Sequence, residues 1–342
     1  MRVFITGATG FVGLNIAHAL LAAGHEVACF VRPGARRRYL ERLPLHITTG
    51  TLDDQAALAR AMRGTEAVIH TAGNTSSKSG DLTALQAANV DSTRAILQAA
   101  RTCGVRRIVY TSTTSTIGSF GSPRLSANES VRLEGWRARS LYAQTKQAAE
   151  ALLLSAQGGP ECVVLNPAEV IGPYDHTLQW GRMVLAVAAG QLPFIPPGSG
   201  TFCPASAVAK AHLAALTLGR PGERYILGGH NLPFAELISQ IGVVTGQPIV
   251  PHDTRPYPLQ CRHARQQERL HQPVALDSFR MRMFGSHHLF DDSKACAELG
   301  YAAPPLQTAI DECYSWYLSN GFLDGLSPRS AIRPPYPERK AS

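Results

Sequence analysis

The stretch Thr6-Gly7-Ala8-Thr9-Gly10-Phe11-Val12-Gly13 constrains the fold more than any other part of the chain. It comes after Met1-Arg2-Val3-Phe4-Ile5, which reads as a short buried strand. It precedes Leu14–Ala23, which reads as a helix closed by Gly24. A glycine-rich turn between a strand and a helix points backbone N–H groups and the positive end of the helix dipole outward. Glycine also lets a pyrophosphate approach the backbone. The spacing G-x-x-G-x-x-G differs by one residue from the G-x-G-x-x-G dinucleotide pattern. A ligand-free strand-to-helix turn would use the same glycines, so the choice rests on the rest of the chain.

Beyond this turn, strands and helices alternate. Strands are predicted at Glu26–Val31, Leu45–Thr49, Ala67–Gly73, Arg107–Thr113 and Cys162–Leu165. Between them, helices are predicted at Asp53–Arg63, Leu82–Cys103 and Ser140–Gln157, with Ser140 as N-cap. Strands apolar on both faces, alternating with helices, predict an α/β fold of Rossmann type: a doubly wound parallel sheet covered on both sides. After residue 172 the regularity falls, with Pro and Gly clustered at Leu192–Gly200, a strand at Arg224–Gly229 and a helix over Pro305–Asn320. The predicted organisation is a dinucleotide-binding domain over 1–172, joined by some later segments, a smaller substrate lobe over 173–325, and a tail over 326–342. With 342 residues, 44% hydrophobic and 17% charged, the chain can bury a sizeable core. No apolar run reaches the roughly 18 residues of a membrane span. No signal-peptide pattern precedes the first strand. Seven scattered cysteines without a C-x-x-C predict reduced thiols and a cytoplasmic protein. His252, His263, His271, His287 and His288 lack metal-ligand spacing and read as solvated.

The net charge of +8 is partly local: Arg32, Arg36, Arg37, Arg38 and Arg42 cluster after the second strand. Without interleaved aromatics or a nucleic-acid motif, they do not predict nucleic-acid binding. At this place a carboxylate would accept from an adenosine ribose, whereas an arginine accommodates a 2′-phosphate. Arg32 and Arg36 therefore predict NADP(H), with NAD(H) possible. The alternative, solvated surface arginines, suits Arg37 and Arg38. Downstream, Tyr142 and Lys146 lie four apart on one helical face. A nearby ammonium favours a phenolate and would lower the tyrosine pKa toward general acid/base work.

With these residues the chain resembles an extended short-chain dehydrogenase/reductase of the NAD-dependent epimerase/dehydratase superfamily. Gly7, Gly10 and Gly13 match the glycine motif, and Tyr142 and Lys146 the catalytic pair. Thr111-Ser112-Thr113 matches the hydroxyl segment, and Asn89 the helix asparagine. His70-Thr71-Ala72-Gly73 matches the small-residue strand end, and Asn166-Pro167 through Gly172-Pro173 the segment beside the nicotinamide. Glu223–Gly229 and Asp292–Tyr301 extend the likeness to the dihydroflavonol-4-reductase-like branch and, within it, to hopanoid-associated sugar epimerases. The resemblance implies Tyr142 as proton donor or acceptor, Lys146 as its partner on the nicotinamide ribose, and Thr113, or failing it Ser112, bonding the reacting oxygen. It implies a cofactor held by Thr6, Gly7, Thr9, Gly10, Phe11, Val12, Gly13, Arg32, Arg36, Leu52, Thr71, Ala72, Gly73, Asn89, Thr111, Asn166 and Pro167, and no metal.

The chain departs from the pattern at Thr51, where the family has an aspartate, and at Ser206 and Ala207, where relatives carry aspartates. The lobe offers Thr75, Ser76, Ser77, Tyr174, His176, Trp180 and Phe202 but no diphosphate-binding arginine cluster. The expected function is NADP(H)-dependent reduction of a ketone, or oxidation of the alcohol, in a small or medium organic substrate. The alternatives are a sugar epimerase or dehydratase of the same fold, for which no further acid/base group is identifiable, and a non-catalytic dinucleotide sensor. Pairing of the helices Leu82–Cys103 and Ser140–Gln157 with a second copy predicts a homodimer.

Overall fold

Seven strands run parallel in the main sheet of the computed structural model, which describes residues 1–75, 82–270, 272 and 276–324. They are β1 (Arg2–Thr6), β2 (Glu26–Val31), β3 (His46–Thr49), β4 (Ala67–His70), β5 (Arg107–Thr111), β6 (Glu161–Pro167) and β9 (Arg224–Leu227), in the order β3-β2-β1-β4-β5-β6-β9. A second sheet pairs β8 (Ser199–Pro204) with β7 (Glu169–Ile171) and β10 (His230–Pro233). Ser76, Ser77, His271 and the tail over 326–342 lie outside the described residues.

The strand order reverses between β1 and β4, so the carboxyl ends of these strands open a crevice, the place where such sheets bind ligands. The register brings Thr6 beside His70 and Thr111 beside Leu165. One face of the sheet is covered by α1 (Phe11–Ala22) and α7 (Ala205–Ala215), packed on Val3, Ile5, Val109 and Leu165. The other is covered by α2 (Gln55–Met62), α4 (Ser92–Thr102) and α5 (Leu141–Leu154), packed on Phe4, Val68, Tyr110 and Val164. Strand residues alternate between these two layers because successive side chains point to opposite faces. The helix predicted as one piece over Leu82–Cys103 is divided: α3 (Leu82–Gln86) passes through a wider π turn at Ala87–Asp91 before α4 begins. That turn carries Asn89 inward. Three helices with apolar inner faces, α6 (Gly181–Ala188), α8 (Phe234–Thr245) and α12 (Leu306–Ser319), form the core of the smaller lobe. Two helices for which the sequence gives no clear periodicity, α9 (Tyr257–Arg269) and α10 (Ser278–Phe284), lie between α8 and α11 (Ser293–Leu299), which returns to the main layer. Among the described residues no helix is long and apolar enough to cross a membrane.

The glycines of the first turn have distinct steric reasons. Gly7 has φ +75°, and a Cβ there would lie 2.5 Å from Thr71 Oγ1 and Ala72 N. A Cβ on Gly13 would run into the Gly7 carbonyl oxygen, so α1 can seat against the turn only with glycine at this place. Gly13→Ala is expected to destabilise the fold by about 1–3 kcal/mol through overpacking. Thermal unfolding checks this, and an unchanged midpoint would contradict the packing described.

Candidate active site

The crevice begins at the amino end of α1. No side chain caps the first N–H groups of this helix, and its first turn holds no acidic residue. The free N–H groups at Phe11 and Val12 and the close backbone approach at Gly10 suit a pyrophosphate. Thr9 sits beside them, partly buried. Thr6 is different: it is fully buried, and its hydroxyl meets His70 Nδ1 at 2.7 Å. It braces the turn instead of facing a ligand, which corrects the expectation for its side chain. Thr71 likewise donates to Thr6 O at 2.9 Å.

After β2, Arg37 donates to Thr49 Oγ1 at 2.7 Å and Arg38 reaches Asn320 Oδ1 at 3.4 Å. Arg32 and Arg36 are exposed and make no side-chain hydrogen bond among the described residues, so both are open to an anion. Leu52 packs partly on the layer containing Phe30, and Thr51 bonds the Asp53 carboxylate.

Across the crevice, Ala72 and Gly73 leave β4 against α5. A Cβ on Gly73 would meet Asn89 Oδ1 at 3.0 Å and Lys146 Nζ at 4.0 Å. Asn89 is buried, accepts from Asn74 N at 2.8 Å and donates to Thr145 Oγ1 at 3.0 Å, so it holds this loop to α5. His70 Nε2 bonds Thr93 at 3.1 Å, and burial and the Lys146 charge hold His70 down at about 3, neutral.

On α5, Ser140 caps Ala143 N and the next turns carry Tyr142 and Lys146. Lys146 Nζ donates to Thr111 O at 2.7 Å and lies 4.1 Å from the Tyr110 ring centre. Burial pushes Lys146 down to about 7, with the Glu150 charge opposing. Tyr142 is pushed up, first by burial and further by Glu169 and Glu150, while its hydrogen bond with Thr113 pulls it down. This corrects the expectation that Lys146 lowers the phenol. The ammonium points to Thr111 O, and burial is the largest influence on the phenol.

The hydroxyl segment divides by strand alternation. Thr111 faces α7, bonding His212 Nε2 at 2.7 Å. Ser112 faces α5, buried, and donates to Glu150 Oε1. Thr113, past the strand end, reaches Tyr142. The side chains of Thr111 and Ser112 are therefore turned into the interior, a correction for both. Asn166 is fully buried, donating to Glu150 Oε1 at 2.7 Å and Thr113 O at 3.0 Å, while its Oδ1 has no partner among the described residues. Pro167 closes β6 beside Leu227.

Sequence reasoning misses three residues. Glu150 lies one turn beyond Lys146 on the same stripe, a charge at an otherwise apolar place, and that spacing is the signal that could have found it. It is buried and collects Ser112, Thr116 (2.8 Å), Asn166 and Arg224 Nη1 (3.1 Å). Glu169, on β7, accepts from Trp180 Nε1 and is pushed up by burial. Arg137, in the short turn before α5, is buried too. No local pattern marks the last two. Of the expected lobe residues, Trp180 reaches Glu169, Phe202 is fully buried, Tyr174 stacks on His18 at 4.7 Å, and His176 packs near Tyr39. His288, expected to be solvated, is buried against Ser119.

Comparison with known proteins agrees with this architecture. The model of the NAD dependent epimerase/dehydratase family matches residues 3–228. A putative dihydroflavonol 4-reductase of Synechocystis sp. is 32% identical over 332 residues, covering 94% of this chain and 95% of the relative. A sterol demethylase protein B of Methylococcus capsulatus is 30% identical over 331 residues, covering 94% and 100%. The crystal structure of a nucleoside-diphosphate-sugar epimerase from Pseudomonas aeruginosa is 26% identical, with TM-score 0.77 over 95% of this chain and 99% of that one.

Removing the collecting carboxylate tests the site's framework. Glu150→Ala is expected to cost on the order of 3–5 kcal/mol, the range for breaking a buried pair. Glu150→Gln, which keeps an acceptor for the three neutral donors, should cost less. Denaturant unfolding that shows both variants as stable as the parent would contradict this role.

Proposed function

The chain belongs to the NAD-dependent epimerase/dehydratase family of NAD(P)-dependent enzymes, and from that premise we propose that it reduces a ketone of a small or medium organic substrate, or oxidises the corresponding alcohol, with NADP(H). The observation that carries this reading is Tyr142 and Lys146 one turn apart on α5, with Lys146 Nζ donating to Thr111 O at 2.7 Å at the carboxyl end of β5 and Thr113 next beyond it. A phenol kept protonated is a donor for a ketone oxygen that gains negative charge, and Thr113 can bond the same oxygen. Lys146, fixed by Thr111 O, lines the way to a ribose beside Gly73. The turn at Gly7–Gly13 with the N–H groups of Phe11 and Val12 would hold the pyrophosphate, and Arg32 and Arg36 the 2′-phosphate. Bound there, the nicotinamide supplies or accepts the hydride. The assembly proposed is a homodimer in the cytoplasm.

A second reading, an epimerase or dehydratase, is favoured by one observation: Glu169, half-buried on β7, adds an acidic group whose charge raises the Tyr142 pKa. Trp180 N–H holds Oε2 of this carboxyl.

Tyr142→Phe is expected to lower kcat by about 10²–10⁴-fold, the range for a lost general acid, while nucleotide affinity in a binding titration stays nearly intact. Retained turnover would sink the assignment. Arg32→Ala should lower the ratio of NADPH to NADH affinity about tenfold, as loss of a charged hydrogen bond does. An unchanged ratio would remove the arginine from the 2′-phosphate site.

A further inference from the structure

A cavity of about 350 Å³ lies between the loop beyond Thr113–Thr116 and the segment beyond α10. Ser119, Trp136, Arg137 and His288 line it, with Arg132 and Glu134 exposed at its rim. Its position is tied to the proposed reaction centre. Arg137 stands in the turn directly before α5, whose second residue is Tyr142. The charge of Glu169 acts on both Arg137 and Tyr142.

The polar groups at this cavity are underused. Arg137 is only 8% exposed, yet the one hydrogen bond of its side chain among the described residues runs from Nη1 to Ile117 O at 3.0 Å. Burial pushes its pKa down to about 10, partly offset by Glu169, so the guanidinium is charged at neutral pH without a paired carboxylate. A guanidinium carries five N–H groups in a planar fork. His288 is also 8% exposed; its Nδ1 bonds the Ser119 hydroxyl at 2.9 Å and its Nε2 is buried with no partner. Burial, Arg137 and His287 hold His288 neutral. When Nδ1 accepts from Ser119, Nε2 carries the proton and becomes a donor. Trp136 closes one side, with Arg282 packed on its ring at 4.6 Å.

His288 Nε2 is a buried group left without a partner, which is costly, and a native chain keeps such a group where a ligand supplies the partner; the Arg137 fork adds a positive charge at the same wall. The acceptor that suits one unpaired guanidinium and one neutral imidazole N–H is a single negative charge on planar oxygens. Arg132 and Glu134, both exposed at the rim, offset each other in charge, and Arg137 is the buried cation of the lining. We infer that this cavity binds a carboxylate of the substrate, with Arg137 as its fork and His288 Nε2 as a second donor, so that the substrate is an oxo acid whose ketone lies toward Tyr142. This rests on the reductase reading. It adds a class of substrate and a specificity-determining residue.

The test uses a series of unbranched oxo acids of rising chain length, each with its methyl ester. Binding to the full chain with saturating NADP⁺ is measured by calorimetry, and NADPH consumption is monitored separately. At the best chain length the acid is expected to bind, and to react in kcat/KM, about tenfold or more better than its ester, the effect of a charged hydrogen bond. Arg137→Gln should bring the acid-to-ester ratio near one, and Arg137→Lys should restore part of it. Equal binding of acid and ester by the unaltered chain would overturn the inference without need of a variant. So would equal weakening of both by Arg137→Gln, or no binding of either. An acid preference in binding without NADPH consumption keeps the carboxylate site and sinks the reductase reading. Reduction of esters with no acid preference does the reverse.

Discussion

The buried carboxylate of Glu150 is the interaction on which the rest of the site depends. It lies on the stripe of α5 that also carries Tyr142 and Lys146. It receives Ser112 from the end of β5, Asn166 from the end of β6, Thr116 from the turn between, and Arg224 from β9. Four donors from separate segments over one charge leave α5 a single seating against the sheet, because any other would strand a buried charge. With α5 seated, Lys146 meets Thr111 O and Tyr142 meets Thr113. The groups proposed to react are thereby placed by a residue that itself stays buried.

Much of this is legible in the sequence, for reasons of range. The turn Gly7–Gly13 and the Tyr142/Lys146 pair are local patterns, each set by its own strand-to-helix junction or helical turn, and the structure places them in one crevice. The order of strands and helices is visible in apolar runs separated by glycines. The individual hydroxyls are harder. Thr111, Ser112 and Thr113 look alike in a string, but Val109 and Tyr110 before them already face opposite layers. Continuing that alternation sends Thr111 to α7, Ser112 to α5, and only Thr113 beyond the strand. The segments of Thr6 and Asn166 border the crevice, which is why both suggest ligand contact, whereas the Thr6 hydroxyl bonds His70 and the Asn166 amide N–H groups serve the framework.

What the sequence conceals depends on segments far apart. Glu169 gains its character from Trp180 and from burial, and Arg137 from the carbonyl of Ile117 and a cavity whose other wall lies beyond residue 285. The direction of the Tyr142 shift is hidden for the same reason. A lysine one turn away is visible in the string, whereas the desolvation and the two acidic charges that raise the phenol exist only after folding.

The most direct measurement is of the nucleotide the protein holds and how readily it leaves. The freshly purified chain is denatured, any released nucleotide is identified, and the emptied protein is titrated with NADPH and NADH. A readily exchanged cofactor, with NADPH bound more tightly than NADH, is the expected result for a reductase that reads the 2′-phosphate through Arg32. Tightly retained NAD⁺ would contradict it, turning the reading toward the epimerase and removing Arg32 from the 2′-phosphate.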